Sequence, residues 1–260
     1  MTAVKVAVGG ATGKLGSIVC RKVAESGDLE LSGAVVSDKG GNVGRDVYGV
    51  EAVGPSGLGG VLDGCDVYVD LTNPAAASKI VASVPEHGAN LVLGTTAVDE
   101  GALEAMREAV ARCGTSAVIS ANFAIGVNVF WKMCELMAAS LPDYDIEVVE
   151  AHHSQKRDAP SGTAMETVRR LQSATGINET AYGRQGVTGP RGREICVHSI
   201  RAGDIVGDHT VIFAKNMERV ELTHKAISRE AFADGCMATI RWVAGRRDGG
   251  VHGMSEVLGL

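Results

Sequence analysis

The stretch VKVAVGGATGKLGSIVCRKVAESG, residues 4–27, decides the fold. It opens with Val4–Val8, a short apolar run rich in β-branched residues, which is typical of a buried strand. The segment Gly10–Gly16 then reads G-x-x-G-x-x-G, and apolar residues recur at helical spacing in Ser17–Gly27. Glycines between a strand and a helix let the backbone approach a pyrophosphate at the helix N-terminus. The stretch therefore predicts a nucleotide-binding domain that begins with this loop.

Strands and helices continue to alternate through the first half of the chain. Apolar runs at Leu29–Ser37, Cys65–Thr72, Asn90–Thr96 and Thr115–Phe123 are typical of strands, and helical patterns lie between the later ones. The glycine-rich region Asp38–Gly60 predicts a loop. Such alternation indicates βαβ units and a parallel sheet.

The pattern changes after about Asn122. A helical stretch leads into the strand DIEVVEA, and three later segments alternate polar with apolar residues: EICVHSIRAG, HTVIFAKN and RVELTHKA. This alternation indicates a mostly antiparallel sheet. The last helical stretch resembles the first half in its chemistry. The expected division is a dinucleotide-binding domain at 1–122, an inserted α+β domain at 123–232, and a return to the first domain at 233–260.

Composition excludes several classes of protein. The net charge is −6 and no basic stripe is present, so no nucleic acid partner is expected. No apolar run reaches the roughly 18–20 residues that span a bilayer, and the N-terminus does not resemble a signal peptide, so we expect a cytoplasmic protein with no membrane partner. The six cysteines form no C-x-x-C pair, which indicates free thiols.

The residues after the second predicted strand bear on the choice of cofactor. Asp38 could accept hydrogen bonds from the ribose hydroxyls of NAD, whereas Ser37 with Lys14 and Lys39 could hold a 2′-phosphate. This pattern slightly favours NADPH and indicates use of both NADPH and NADH. Other segments at predicted strand ends would face the same ligand: Asp70–Pro74, Gly94–Thr96 and Ser120–Phe123.

The stretch EAHHSQKRDAPSGTA, residues 150–164, carries the densest polar chemistry. A helix is predicted to start at Ser161 to Thr163, and its first N–H groups would bind an anion beside Lys156. His152 and His153 end a strand, so only one of them can face a given pocket if the strand includes both. Either imidazole could donate a proton near neutral pH. The other histidines show no tight ligand spacing, and no metal is expected.

These residues resemble the signature of the 4-hydroxy-tetrahydrodipicolinate reductase family, also called dihydrodipicolinate reductase. The resemblance covers nearly the whole chain through further motifs: GATGKLG, DLTNP, GTT, SANFAIGVNVF, RAGDIVGDH, ELTHKAISR and MSEVLGL. It implies a Rossmann-like domain with an inserted α+β domain for substrate binding and tetramerisation. It also implies that NAD(P)H reduces a cyclic dicarboxylate in lysine and diaminopimelate biosynthesis, and that the chain forms a homotetramer.

The resemblance also implies roles for individual residues. His152 and Lys156 would act in proton transfer, and His153, Gly162 and Thr163 would bind a substrate carboxylate. The cofactor contacts it implies are Gly10, Ala11, Thr12, Gly13, Lys14, Leu15, Gly94, Thr95, Thr96, Ser120, Ala121, Asn122 and Phe123. Two departures are the alanine at Ala97, where the family often has glycine, and Ser37, followed by Asp38, where many members have an acid. Arg157 and Asp158 receive no role.

Two alternative functions would account for parts of this pattern. Another Rossmann-domain NAD(P) oxidoreductase of amino-acid metabolism would share the glycine loop, but a semialdehyde dehydrogenase needs a nucleophilic cysteine and the polar cluster has none. A non-catalytic NAD(P)-binding sensor would have no need of the His-His-Lys cluster.

Overall fold

A computed structural model describes residues 2–260 as two compact units. The first comprises residues 2–124 and Phe232–Leu260, and the second is Ile125–Ala231, inserted between them in the sequence.

In chain order the strands are β1 Val4–Gly9, β2 Leu29–Val35, β3 Asp46–Val47, β4 Val50–Val53, β5 Val67–Asp70, β6 Asn90–Leu93, β7 Ala117–Ile119, β8 Asp145–His152, β9 Thr180–Tyr182, β10 Ile195–Arg201, β11 Gly207–Lys215, β12 Glu218–Ala226 and β13 Val251–His252. The α-helices are α1 Gly16–Ala24, α2 Leu58–Leu62, α3 Pro74–Ile80, α4 Glu100–Cys113, α5 Ile125–Ser140, α6 Gly162–Thr175, α7 Glu230–Ala244 and α8 Met254–Leu258. Among residues 2–260, no helix has the length and apolar character to cross a membrane.

The first unit is built on an eight-stranded sheet in the order β13-β7-β6-β5-β1-β2-β4-β3. All neighbouring strands are parallel except β3 and β4. The chain moves outward from β1 through β2 to β4, and then starts again at β5 on the other side of β1. This reversal places a topological switch point between β1 and β5, where open α/β sheets bind ligands. The predicted Rossmann-like α/β fold is therefore confirmed.

The structure departs from the predicted loop at Asp38–Gly60, which contains the β3–β4 hairpin and the start of α2. The two hairpin turn residues, Tyr48 and Gly49, have φ of 51° and 87°. Two positive φ values suit the twist of a two-residue hairpin, for which Asn-Gly is the usual sequence signal. A tyrosine rarely adopts this conformation, so the Tyr-Gly pair did not indicate a turn.

The second unit contains a five-stranded sheet in the order β12-β11-β8-β10-β9. The prediction of a mostly antiparallel sheet is wrong, because β8 pairs in parallel with β10, and β10 in parallel with β9. Only the β8–β11 and β11–β12 pairs are antiparallel. The reason is that α6 follows β8 and carries the chain across the sheet, and such a crossover returns the next strand in the same direction. Helices α5 and α6 pack against this sheet.

Candidate cofactor edge and histidine site

In the glycine loop between β1 and α1, Gly10 and Gly16 lie so close to other backbone atoms that neither position has room for a side chain. Gly10 has φ of 78°, and a Cβ there would lie 2.4 Å from the Leu71 carbonyl oxygen. A Cβ on Gly16 would lie 2.1 Å from the Gly10 carbonyl oxygen. No side chain caps α1 at Leu15. The backbone therefore lies open at a helix N-terminus beside the switch point, and this geometry fits the pyrophosphate of a dinucleotide.

The segments that follow β5 and β6 are joined by a buried carboxylate. Asp70 is fully buried, and its Oδ1 accepts hydrogen bonds from the hydroxyl groups of Thr95 at 2.5 Å and Thr72 at 2.8 Å. The Thr72 N–H also donates to Thr95 Oγ1 at 2.9 Å. Burial raises the pKa of Asp70, and the threonine hydrogen bonds oppose this only in part. These contacts hold the two segments together at the carboxyl edge of the sheet.

A cleft of the first unit opens at this edge. It is lined by Leu15, Leu71, Thr72, Asn73, Pro74, Gly94, Thr95 and Thr96. A Cβ on Gly94 would lie 2.7 Å from side-chain atoms of both Leu71 and Phe123, so only glycine fits there. Ala97, where the family often has glycine, adopts φ of 55° in the left-handed region that glycine favours. We name the three segments Gly10–Gly16, Asp70–Pro74 and Gly94–Thr96 the cofactor edge.

Two other predicted groups of cofactor residues lie at strand ends. Ser120–Phe123 follows β7, where Ser120 Oγ donates to the Asn122 carbonyl oxygen at 2.8 Å and Phe123 is buried. Ser37 and Asp38 lie two and three residues beyond the end of β2 and are exposed. Ser37 Oγ accepts a hydrogen bond from the Lys39 N–H at 3.1 Å. The exposed Ser37, Asp38 and Lys39 side chains are available to a ligand.

The alternation of strand β8 decides which histidine is buried. Ile146, Val148, Glu150 and His152 face the interior, and the residues between them are half-buried. His152 is the last residue of the strand and is 8% exposed, whereas His153 follows the strand and is half-buried. Because residues two apart share a face, Glu150 and His152 lie side by side.

Glu150 is a fully buried carboxylate surrounded by donors. Its Oε2 lies 2.6 Å from His152 Nδ1, and its two oxygens accept 2.8 and 2.9 Å hydrogen bonds from the Arg201 guanidinium group. The Ser161 N–H donates to Oε1 at 3.2 Å. Burial opposes ionisation of Glu150, but the hydrogen bonds from Arg201 and His152 outweigh it and lower its pKa to about 2. The carboxylate is therefore ionised at neutral pH.

A second buried histidine lies against the first. His209 on β11 meets His152 edge to face, with ring centroids 5.2 Å apart. Burial, reinforced by the nearby His152, lowers the pKa of His209 to about 3, so this ring is neutral. Its Nε2 lies 3.2 Å from Ser161 Oγ, and that oxygen caps α6 by accepting a hydrogen bond from the Ala164 N–H at 3.1 Å. We name Glu150, His152, Ser161, Arg201 and His209 the histidine site.

The loop from β8 to α6 adds the other predicted residues. Lys156 pairs with the Asp158 carboxylate at 2.9 Å, and the Asp158 carbonyl oxygen accepts a hydrogen bond from Arg201 at 2.5 Å. Asp158 thus ties the loop to β10. Gly162 begins α6 and is exposed, and Thr163 follows it in the first turn. A Cβ on Gly162 would meet nothing within 4 Å, so the approach to this helix start is open.

One group of ligand-type side chains lies apart from the histidine site. Among residues 2–260, Glu147, Cys196 and His198 are the three whose donor atoms come within 4.8 Å of one another. Arg191 Nε contacts the Glu147 carboxylate at 3.1 Å, and His198 Nε2 lies 2.7 Å from it. These two partners pair with the Glu147 carboxylate, so the group is an ion-pair network. It lies on the face of the sheet opposite to the one that carries Glu150 and His152.

Three residues of the histidine site had no predicted role: Glu150, Arg201 and His209. Glu150 stood in the quoted polar stretch, and the period-two pattern that runs through Ile146 and Val148 to His152 would have placed it beside that histidine. Arg201 and His209 belong to the motif RAGDIVGDH, but nothing local indicated that they lie beside His152. Their position follows from the pairing of β8 with β10 and β11.

The parallel sheet, the glycine loop and the inserted α+β unit define a nicotinamide-dependent oxidoreductase of the two-domain class. Sequence comparison matches residues 4–123 to the family "Dihydrodipicolinate reductase, N-terminus" and residues 126–258 to "Dihydrodipicolinate reductase, C-terminus". The chain belongs to the dihydrodipicolinate reductase family.

Individual relatives agree with this assignment. The 4-hydroxy-tetrahydrodipicolinate reductase of Methanothermobacter thermautotrophicus is 43% identical over 99% of each chain, and that of Methanoregula boonei is 43% identical over 98% of each. A dipicolinate-bound dihydrodipicolinate reductase from Paenisporosarcina sp. TG-14 has the same fold, with a TM-score of 0.78 and 24% identity over 98% of this chain and 99% of that one. The predicted resemblance is therefore confirmed.

Proposed function

We propose that this protein reduces 4-hydroxy-tetrahydrodipicolinate to tetrahydrodipicolinate in lysine and diaminopimelate biosynthesis. The observation that carries the proposal is the histidine site, where a buried imidazole ends β8 and the loop that follows carries Lys156 and leads to the open start of α6. The substrate is a dicarboxylate that must receive one proton. Lys156 and the helix start can bind its carboxylate, and the imidazole can donate the proton. The names of relatives that are 43% identical over almost the whole chain support the same reaction.

The reaction assigns separate tasks to the chain's residues. Relative to the substrate, the product has lost the ring hydroxyl group as water and gained one hydride and one proton. When bound, NAD(P)H supplies the hydride. His152 supplies the proton to the neighbouring ring carbon, and Lys156 contributes a positive charge that supports this transfer and attracts a carboxylate. His153, Gly162 and Thr163 hold a substrate carboxylate at the first turn of α6, where the helix dipole favours negative charge.

For the cofactor, we propose dual use with a slight preference for NADPH. The glycine loop and the residues Gly94–Thr96 and Ser120–Phe123 would contact the dinucleotide. The exposed Ser37 hydroxyl and the side chains of Lys14 and Lys39 would favour a 2′-phosphate, whereas the exposed Asp38 carboxylate would accept ribose hydroxyls. Because neither set is removed from solvent, both cofactors are expected to bind.

The direct test is oxidation of NADPH and NADH with freshly prepared 4-hydroxy-tetrahydrodipicolinate. We expect turnover with both cofactors, and a loss of about 100-fold or more in kcat/KM for Lys156→Ala, because the charge that supports proton transfer and the contact to a substrate carboxylate are lost together. Arg157→Ala, one residue along the same loop, is the matched control and should keep wild-type activity. Cofactor binding without turnover would indicate a sensor, and a fully active Lys156→Ala enzyme would remove this lysine from the mechanism.

We further propose that the chain assembles as a homotetramer through the second unit. On the sheet face that carries Glu147, the apolar side chains of Val149 and Ile212 are half-buried and Ile200 is 47% exposed. Apolar side chains left partly exposed beside the Glu147 ion pairs favour association. Light scattering coupled to gel filtration should give four times the 26.9 kDa chain mass, and a monomeric mass at micromolar concentration would contradict the proposal.

A further inference from the structure

His152 has one ring nitrogen inside the protein and one nitrogen that faces a glycine. The inner nitrogen, Nδ1, lies 2.6 Å from Glu150 Oε2. The outer nitrogen, Nε2, lies opposite Gly207, where a Cβ would come within 3.0 Å of it. The absence of a side chain at Gly207 therefore leaves room beside Nε2.

The charge state of Glu150 determines which nitrogen carries the proton. An ionised carboxylate can only accept hydrogen bonds, so the 2.6 Å contact requires a proton on His152 Nδ1. Arg201 keeps Glu150 ionised through its paired hydrogen bonds, and the Ser161 N–H adds a third partner. Proton exchange by His152 must then occur at Nε2, the nitrogen beside Gly207.

The charges that face His152 come from several elements. Burial is the strongest effect that disfavours the imidazolium form of His152, and the charges of Lys156 on the loop and Arg201 on β10 add to it. His209 on β11 is neutral and adds no compensating charge. Glu150 is the anion that opposes these effects. The pKa of His152 stays below its ordinary value even with Glu150 ionised, and loss of that charge would lower it further.

We propose that Glu150, held ionised by Arg201, is the positioning residue that directs the exchangeable proton of His152 to Nε2 and keeps that nitrogen protonatable. The proposal rests on the proposed function, in which His152 is the acid. It assigns to Glu150 a role through His152 and no contact with substrate.

The test combines NMR with kinetics on Glu150→Gln. Glutamine keeps the size of the side chain but removes its charge, so the pKa of His152 should fall by about one unit or more. A general acid works in its protonated form, and activity is lost as pH rises through its pKa. The alkaline limb of kcat/KM should therefore move to lower pH by the same amount, with a loss of about 10-fold near neutral pH and recovery at lower pH.

Nitrogen chemical shifts of ¹⁵N-labelled histidine report the tautomer directly. In the wild-type protein we expect neutral His152 to carry its proton on Nδ1, and in Glu150→Gln we expect that preference to be lost. Glu147→Gln is the matched control, because Glu147 lies on the same strand, pairs with an arginine and a histidine, and faces the other side of the sheet. It should leave the His152 signals and the pH profile unchanged.

The two readouts separate this proposal from the proposed function. An unchanged tautomer and pKa of His152 in Glu150→Gln would overturn the role of Glu150, whatever the kinetics show. A changed tautomer with kinetics unaffected by both Glu150→Gln and His152→Gln would instead overturn the acid role of His152. If Glu150→Gln does not fold because Arg201 has lost its anionic partner, Glu150→Asp is used instead. Aspartate keeps the charge, so the alkaline limb of kcat/KM should be preserved. Its shorter side chain moves the carboxylate away from His152, so kcat should fall. Wild-type kcat in Glu150→Asp would then overturn the proposal.

Discussion

His152→Gln is expected to lower kcat by about two to four orders of magnitude, the usual contribution of a positioned proton donor. Glutamine is close in size to histidine and can occupy the space beside Glu150, but its amide cannot deliver a proton to carbon. Cofactor binding should be unchanged, because the cofactor edge belongs to a different part of the chain. Steady-state kinetics with both cofactors, together with a fluorescence titration of NADPH, would measure the two effects separately.

The matched control for this substitution is His198→Gln. His198 is also a strand histidine paired with a glutamate, at 2.7 Å from Glu147, but it faces the other side of the same sheet. We expect this variant to keep kcat near the wild-type value. A His152→Gln enzyme with unaltered kcat would show that the proton comes from another group, and Lys156 would then be the next candidate.

Gly16→Ala should weaken NADPH and NADH binding by about 100-fold, because the added methyl group would lie 2.1 Å from the Gly10 carbonyl oxygen. That neighbour is backbone, so the contact can be relieved only by moving the loop that is predicted to hold the pyrophosphate. The crowding should also cost about 1–3 kcal/mol of folding stability. Cofactor titration and thermal unfolding would report these two changes.

Gly27→Ala is the control, at a glycine three residues beyond the end of α1. A Cβ there meets nothing within 4 Å, and Gly27 does not adopt a positive φ. We expect wild-type cofactor affinity and a stability change within a few tenths of a kcal/mol. A folded Gly16→Ala protein that binds both cofactors normally would contradict the assignment of the glycine loop to the pyrophosphate.

The first unit was well predicted because its signals are local. The strand, the glycine loop and the helix are contiguous in residues 4–27, and the parallel sheet follows from the alternation of apolar runs with helices. The second unit was predicted less well. Alternating polarity identifies strands but not their direction, and the parallel pairing of β8 with β10 became visible only in the sheet.

The histidine site shows the same limit at the level of single residues. The polar stretch at residues 150–164 indicated a proton donor, a cation and an anion-binding helix start, because each signal lies within a few residues of the others. It left open which histidine would face inward. Strand β8 ends at His152, and the alternation of its buried face assigns the interior position to that residue.

The sequence by itself determined the family, the parallel-sheet nucleotide domain, the glycine loop and the candidate pair His152 and Lys156, since these depend on contiguous motifs. Only the tertiary structure decided what surrounds His152. Arg201 is 51 residues from Glu150 in the chain, yet it binds that carboxylate because β8 and β10 pair in parallel with Arg201 opposite His152. His209 arrives from β11 on the other side. The partners of a buried charge depend on strand order and register, and no local pattern in the chain specifies them.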